Sequence, residues 1–168
     1  FRSAGGGEEA MPTNLLRRKP DQPTSAQKPA ENDDRGQPRF VRLTVGRRHV
    51  ILRLLETRTA DLVWRALPLF SIAETWGESI HFETPLRTGR ERGARLNVRP
   101  GDVCFWSEDE RVVLAWGPTP ISRPDEIRLM RPCNIWAETV GDPGVLSGVT
   151  PGEKVSLERA KAPAPAKA

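Results

Sequence analysis

The chain has 168 residues, which is enough for one domain with a sizeable hydrophobic core but too few for two. Little of its formal net charge of +4 comes from the middle of the chain, because residues 39–158 contain seventeen basic and sixteen acidic side chains. This balance argues against a basic domain that binds nucleic acid through its overall charge, and the absence of a long apolar run argues against a membrane partner.

Both ends of the chain have the composition of disordered tails. Residues 1–38 are rich in Gly, Pro, Ser, Asn and charged side chains, and residues 159–168 consist mainly of Ala, Pro and Lys. Such segments bury too little apolar surface to offset the entropy that is lost on ordering. We therefore expect one folded domain over residues 39–158 between two disordered tails, in a protein located in the cytoplasm.

The domain is expected to begin with a β-hairpin. Apolar and polar side chains alternate from Phe40 to Val45, as in a strand with one buried face. A Gly-Arg pair at residues 46 and 47 then forms a two-residue turn into a second strand that includes Val50.

One helix is expected after the hairpin. Apolar side chains recur at helical spacing between residues 62 and 67, Thr59 can serve as the N-cap, and Pro68 ends the pattern. The following short β-like runs, separated by Gly, Pro and acidic turns, are typical of a barrel or sandwich. Residues 87–99 have no such pattern and are expected to form a long loop. The expected strands are Phe70–Ala73, Ser79–Phe82, Val103–Trp106, Val112–Trp116, Asn134–Val140 and Lys154–Leu157.

Three segments of the chain resemble the cyclophilin-like proteins of bacteria and archaea. The run TWGESIHF, which begins at Thr75, is similar to the family's Trp-Gly-acid-x-Ile-Tyr-Phe run. GDVCFW from Gly101 is similar to its Gly-Asp-Val-x-Tyr-Trp strand, and WGPTPIS from Trp116 to its Phe-Gly-Pro-Thr-Pro turn. The resemblance implies a mainly β fold: a cyclophilin-like closed β-barrel of about eight strands with one or two short helices.

The same segments supply a candidate binding groove. Tryptophans can form its apolar walls and a few polar side chains can orient a ligand, although tryptophans at strand ends also commonly pack in a core. We predict that the groove binds a small molecule or a short peptide, with no metal, no cofactor and no assigned catalytic residue. The candidate residues are Trp76, Glu78, His81, Trp106, Trp116, Thr119 and Arg123.

Prolyl isomerisation is the second hypothesis, because true cyclophilins catalyse it. The barrier to rotation is about 20 kcal/mol, and an isomerase lowers it by binding the twisted amide. In true cyclophilins this uses an Arg and a Gln within a Phe-His-Arg to Gln-Gly-Gly-Asp signature, which this sequence lacks. His81 has no neighbouring arginine, so an isomerase site would have to recruit a distant one such as Arg123. We expect binding without catalysis, with a weak or divergent isomerase as the alternative.

An arginine-rich stretch within residues 87–99 raises a third hypothesis, an accessory protein that binds nucleic acid. The stretch has no aromatic side chain for base stacking, and a charged loop is more often simply solvated. We therefore expect no nucleic-acid partner. The sequence indicates no oligomeric state.

Two cysteines, Cys104 and Cys133, lie in separate apolar runs. They have no CxxC spacing, and a four-ligand metal site would need every Cys and His of the chain. We expect both to be buried, reduced thiols.

Overall fold

A computed structural model describes residues 36–163, and this part of the chain is mainly β, as expected. Most of the two predicted tails, residues 1–35 and 164–168, lies outside the described residues. No helix within 36–163 is long and apolar enough to cross a membrane. The strands are β1 (Phe40–Val45), β2 (Arg48–Leu54), β3 (Leu69–Ile72), β4 (Glu74–Thr75), β5 (Ser79–Glu83), β6 (Arg95–Val98), β7 (Asp102–Trp106), β8 (Arg111–Ala115), β9 (Ile127–Val140) and β10 (Lys154–Ala160). Helix α1 spans Arg58–Ala66, and a 3-10 helix spans Pro143–Gly148.

The strands form one sheet in the order β3-β10-β1-β2-β9-β7-β8-β5-β4, and β6 pairs with β9 beside this path. The two strands at the ends of the order follow one another in the chain and are separated only by Ala73. Within the described residues no ladder of hydrogen bonds joins those ends, so the predicted closed barrel is not established. The nearest link is a side-chain bond, in which Ser71 Oγ donates to the carbonyl oxygen of Glu83 on β5 at 2.7 Å.

The hairpin and the helix form close to where the sequence predicts them. Strands β1 and β2 pair across the Gly-Arg turn, and Gly46 has the positive φ of 60° that such a turn requires. Helix α1 is capped by Thr57, whose Oγ1 accepts from the backbone N–H of Ala60 at 3.0 Å. The prediction that Thr59 is the cap was wrong, because the backbone turns into the helix two residues earlier.

Strands β7 and β8 are buried on both faces. One face packs into the main core, which collects side chains from nearly every strand and from α1 around the fully buried Trp136. The opposite face packs into a smaller outer cluster beneath β6 and the first half of β9. The side chains of this outer cluster are Val98, Cys104, Val113, Ala115, Ile127, Leu129 and Cys133. Both cysteines are therefore buried, and both are free thiols.

The prediction of one loop over residues 87–99 was wrong for its last part, because Arg95–Val98 pair with β9 as strand β6. The part of the predicted loop that precedes β6 is fixed to the domain by Glu91. Its Oε2 accepts from the backbone N–H of Thr59 at 2.8 Å and from Thr59 Oγ1 at 2.5 Å. The amide of Asn134 completes the network, since it donates to Thr59 Oγ1 at 3.0 Å and accepts from the Glu91 N–H at 2.8 Å. Thr59 and Asn134 are almost fully buried, so these bonds satisfy polar groups that water does not reach.

Replacing Glu91 with Ala is expected to destabilise the domain by about 1 to 3 kcal/mol, because buried donors on Thr59 would lose their acceptor. Urea unfolding of the two proteins measures this difference. Glu91→Gln, which keeps an acceptor oxygen, should restore part of the loss, and Arg92→Ala on the exposed side of the loop should have little effect. An equal effect of Glu91→Ala and Arg92→Ala would contradict the assignment.

Candidate ligand-binding site

A cavity of about 270 Å³ lies on the face of the sheet opposite the main core. Strands β4, β5, β7, β8 and β9 and the β7–β8 turn all contribute to its walls. The lining residues are Glu74, Trp76, His81, Trp106, Asp109, Arg111, Val113, Leu129, Met130, Arg131 and Cys133.

The alternation of side chains along the strands directs these residues to the cavity. On β5, Ile80 and Phe82 enter the main core, so His81 between them faces the other way. Antiparallel pairing then sets its neighbours, because His81 lies opposite Glu74 of β4 on one side and Val113 of β8 on the other. The cavity thus contains one row of cross-strand neighbours.

An irregular stretch of β9 forms the opposite wall. Its pairing with β6 passes from Arg128 opposite Asn97 to Cys133 opposite Arg95, so β9 advances by five residues while β6 advances by two. The additional residues form a bulge, which bends the strand and redirects its side chains. Leu129, Met130 and Arg131 of this bulge line the cavity.

Arg111 organises the polar side of the cavity. Its Nε donates to Asp109 Oδ2 at 2.8 Å, and its Nη1 lies 3.3 Å from Glu74 Oε2 and 3.2 Å from His81 Nδ1. Only 16% of the Arg111 side chain is exposed, against about half of each carboxylate side chain. Because a guanidinium can only donate, His81 Nδ1 must accept, and the neutral ring carries its proton on Nε2.

Burial is the largest influence on His81, and it lowers the pKa of the imidazole. The charge of Arg111 lowers this pKa further, while Glu74 and Asp109 act in the opposite direction. Burial likewise raises the pKa of the Cys133 thiol to about 12, so this sulfur stays protonated at neutral pH. Among residues 36–163 no group of three or more His, Cys, Asp or Glu side chains is placed to hold a metal ion.

Residues 39–158 match the family described as Cyclophilin-like. The chain belongs to this family. Its fold is similar to the solution structure of the hypothetical protein AF2241 from Archaeoglobus fulgidus, with 32% identity and a TM-score of 0.66 over 76% of this chain and 98% of that protein. It is also similar to McbB in complex with tryptophan, with 15% identity and a TM-score of 0.58 over 75% of this chain and 46% of McbB, a likeness of fold alone. No curated protein matches.

Three of the seven predicted groove residues of this cyclophilin-like domain come together at the cavity: Trp76, His81 and Trp106. Trp76 belongs to neither buried cluster, whereas Trp106 packs against the outer cluster as well as lining the cavity. Each of the three lies within a segment that resembles a family motif.

The other four predicted residues do not line the cavity. Trp116 packs against the main core, which is the packing alternative for a tryptophan at a strand end. Thr119 is buried and its Oγ1 donates to the carbonyl oxygen of Arg128 at 2.5 Å, so it holds a turn. Glu78 is exposed and bonds through its backbone to the turn at Pro118. Arg123 is also exposed, and its backbone N–H donates to Glu126 at 2.9 Å.

Sequence reasoning missed the charged half of the site. Glu74, Asp109 and Arg111 lie outside the family-like segments or at strand ends, where the alternation of apolar residues gives no signal. The only signal that could have found Arg111 was the pairing of β5 with β8, because that pairing places Arg111 on the same face as His81.

The arginine-rich loop presents less free charge than its composition suggests. Arg87 pairs with Glu110 at 3.0 Å, Arg90 pairs with Glu108, and Arg99 lies 4.0 Å from Asp102. These neighbouring carboxylates oppose the approach of a phosphate backbone.

Stability should fall more steeply with acidity in the wild type than in His81→Gln. The pKa of His81 is lowered in the folded domain. As the pH falls below the ordinary histidine pKa of about 6.5, the unfolded chain therefore binds more protons than the folded domain. The contribution of neutral His81 to the free energy of unfolding is present above this ordinary pKa and is lost as the pH falls through the lowered pKa of the folded domain. Thermal unfolding of both proteins between neutral and mildly acidic pH tests this, and parallel curves would contradict it.

Proposed function

We propose that this cyclophilin-like domain binds a small ligand or a short peptide in the cavity bounded by Trp76, His81 and Trp106, and that it does so without catalysis. The observation that carries the proposal is the cavity itself, in which two indole walls adjoin one network of polar groups. Its volume of about 270 Å³ falls just below the range of about 300 to 1,000 Å³ that is common for drug-sized ligands. A metabolite-sized molecule or one peptide side chain suits this space.

The position of Trp76 supports binding better than core packing. Its backbone is fixed by Ser79, whose Oγ donates to the Trp76 carbonyl oxygen at 2.6 Å. The next residue, Gly77, has a φ of 63°, and a Cβ there would lie 2.8 Å from atoms of Pro118 and Thr119. The two turns are therefore packed closely against each other, which holds the backbone at Trp76 in place, and its indole lines the cavity without belonging to either buried cluster.

The chemistry of the lining groups supports binding without catalysis. The Cys133 thiol has a pKa of about 12 and is a poor nucleophile at neutral pH. Arg111 is engaged by Asp109, Glu74 and His81 at the same time. No Ser, Cys or Lys nucleophile with an adjacent base lines the cavity in the described part of the chain.

A distant likeness guides the choice of ligands. McbB, which shares the fold, was solved in complex with tryptophan. Amino acids and small aromatic acids, amides and amines are therefore the first compounds to screen, together with short proline-containing peptides.

The wild-type protein is expected to bind at least one compound of this panel, with a change in tryptophan emission and a raised melting temperature. Ligands that themselves contain indole are measured by calorimetry instead. Trp76→Ala should weaken binding about tenfold, or ~1.4 kcal/mol, because one aromatic wall is lost. Trp116→Phe is the matched control, and it should leave the affinity unchanged. The proposal fails if no compound binds, or if Trp76→Ala binds as well as the wild type.

One observation bears on the alternative of a prolyl isomerase. The arginine beside His81 is Arg111, at 3.2 Å, and not the Arg123 that the sequence suggested. An isomerase would need this guanidinium to bond near the prolyl nitrogen, and here three side chains engage its Nε and Nη1 and leave only Nη2 free. We also propose that the sheet closes into a barrel, which would place this cavity on the outside of the barrel.

An assay with a proline-containing tetrapeptide should therefore show no acceleration of cis-trans isomerisation at neutral pH. A clear acceleration that is abolished by Arg111→Lys, but is unchanged in Arg123→Lys, would establish the isomerase in place of pure binding.

A further inference from the structure

We propose that the occupant of the cavity carries a hydrogen-bond acceptor, a carboxylate or carbonyl oxygen, which accepts from His81 Nε2, with Arg111 Nη2 as a second free donor of the same site. This inference rests on the proposed binding function and specifies the chemical class of the ligand. It follows from the hydrogen-bonding groups that remain free once the internal bonds of the cavity are assigned.

His81 offers a donor and no acceptor. Its Nδ1 faces Arg111 Nη1 at 3.2 Å and must accept from it, so the ring proton is on Nε2. Nε2 has no hydrogen-bond partner among residues 36–163. The unpartnered side-chain nitrogens that are sealed from solvent in this part of the chain do not include it. The Nε2–H is therefore open to solvent, on a residue that lines the cavity.

Arg111 offers a second donor. Nε and Nη1 are engaged by Asp109, Glu74 and His81, whereas Nη2 bonds to no group in the described part of the chain. Nη2, too, is not sealed from solvent. Two adjacent side chains thus each present a free N–H group, and an oxygen of the ligand can accept from either one.

The carboxylates of the site lie toward solvent. Glu74 Oε2 and Asp109 Oδ2 accept from Arg111, and the two side chains are 54% and 52% exposed. A ligand ammonium beside His81 Nε2 would meet a donor and the charge of Arg111, and only the exposed carboxylate oxygens could offset the repulsion.

The other polar side chains of the lining are donors. Cys133 donates to the Arg131 carbonyl oxygen at 3.2 Å, and the Arg131 guanidinium can only donate. The buried Trp106 Nε1 has no partner in the described part of the chain. A ligand oxygen suits this lining better than a ligand N–H.

Phenylacetate, phenylacetamide and phenethylamine distinguish these possibilities with the full chain. They share a phenyl group that suits the indole walls and differ in the polar group, which is an acceptor, an acceptor with donors, or a donor only. None absorbs at the long-wavelength edge of the indole band, so tryptophan emission that is excited at that edge reports binding directly. We expect phenylacetate and phenylacetamide to bind, and phenethylamine to bind at least tenfold more weakly.

The ratio of the first two affinities shows whether the acceptor is charged. Tighter binding of phenylacetate indicates a carboxylate, and similar affinities indicate a carbonyl oxygen. Equal or tighter binding of phenethylamine overturns the inference while leaving the binding function intact. If none of the three binds, the inference is also overturned, and the wider panel above decides the binding function separately.

Three variants test whether the effect comes from the His81 donor. His81→Leu should weaken phenylacetate about tenfold and leave phenethylamine unchanged. His81→Gln should recover most of the loss, because its side-chain amide restores a donor. His49→Leu is the matched control, since His49 is exposed on β2 and does not line the cavity.

Nitrogen NMR of the His81 ring gives a readout that a merely structural role would not change. The free protein should show the tautomer protonated on Nε2, and phenylacetate should shift that nitrogen rather than Nδ1. A ring protonated on Nδ1 would overturn the assignment.

Discussion

Strands β7 and β8 have to bury both of their faces, and the position of the cavity follows from that constraint. Val103, Phe105, Val112 and Leu114 fill the main core, so the residues between them need a second cover. The cover comes from β6 and the first half of β9, and it is incomplete where β9 bulges. The cavity is the space that remains between this bulge and the sheet.

Arg111 adapts this space to polar chemistry. A half-covered sheet face would otherwise be a purely apolar groove, but the guanidinium enters it at the start of β8 and brings three polar partners with it. Its charge is balanced locally by two carboxylates, which explains how it can be largely shielded from solvent without a large desolvation penalty. The walls and the polar groups therefore have different origins: the walls come from sheet packing and the polar groups from one strand terminus.

Local patterns in the sequence were sufficient to predict most of the strands. The alternation in β1 and β5 reflects one face in the main core, whereas the continuous apolar runs of β7 and β8 reflect burial on both faces. The apolar residues at helical spacing in α1 reflect its contact with the main core. Strand β6 was not predicted, because only Val98 of its residues is buried and the pattern within it is weak. The two-residue strand β4 is too short to leave a period at all.

The site was predictable only in part, for a related reason. Trp76 and Trp106 were found because aromatic residues beside a turn are visible locally, and both belong to family-like segments. Trp116 and Thr119 have similar local surroundings, yet the fold uses them for packing and for a turn. Arg111 and Glu74 reach His81 through two different strand pairings, and pairing between distant strands is information that a single sequence does not display.

The cluster around Trp64 has a consequence for how this domain is attached to other chains. Arg39, just before β1, and Arg159, near the end of β10, both lie over the Trp64 ring of α1, at 5.7 and 4.2 Å. The first and last strands also pair with each other, with Phe40 opposite Ala160. The polypeptide therefore enters and leaves the domain at paired positions on two adjacent strands. A domain with adjacent ends can be spliced into a surface loop of a host protein, or reopened elsewhere by circular permutation, without stretching either chain.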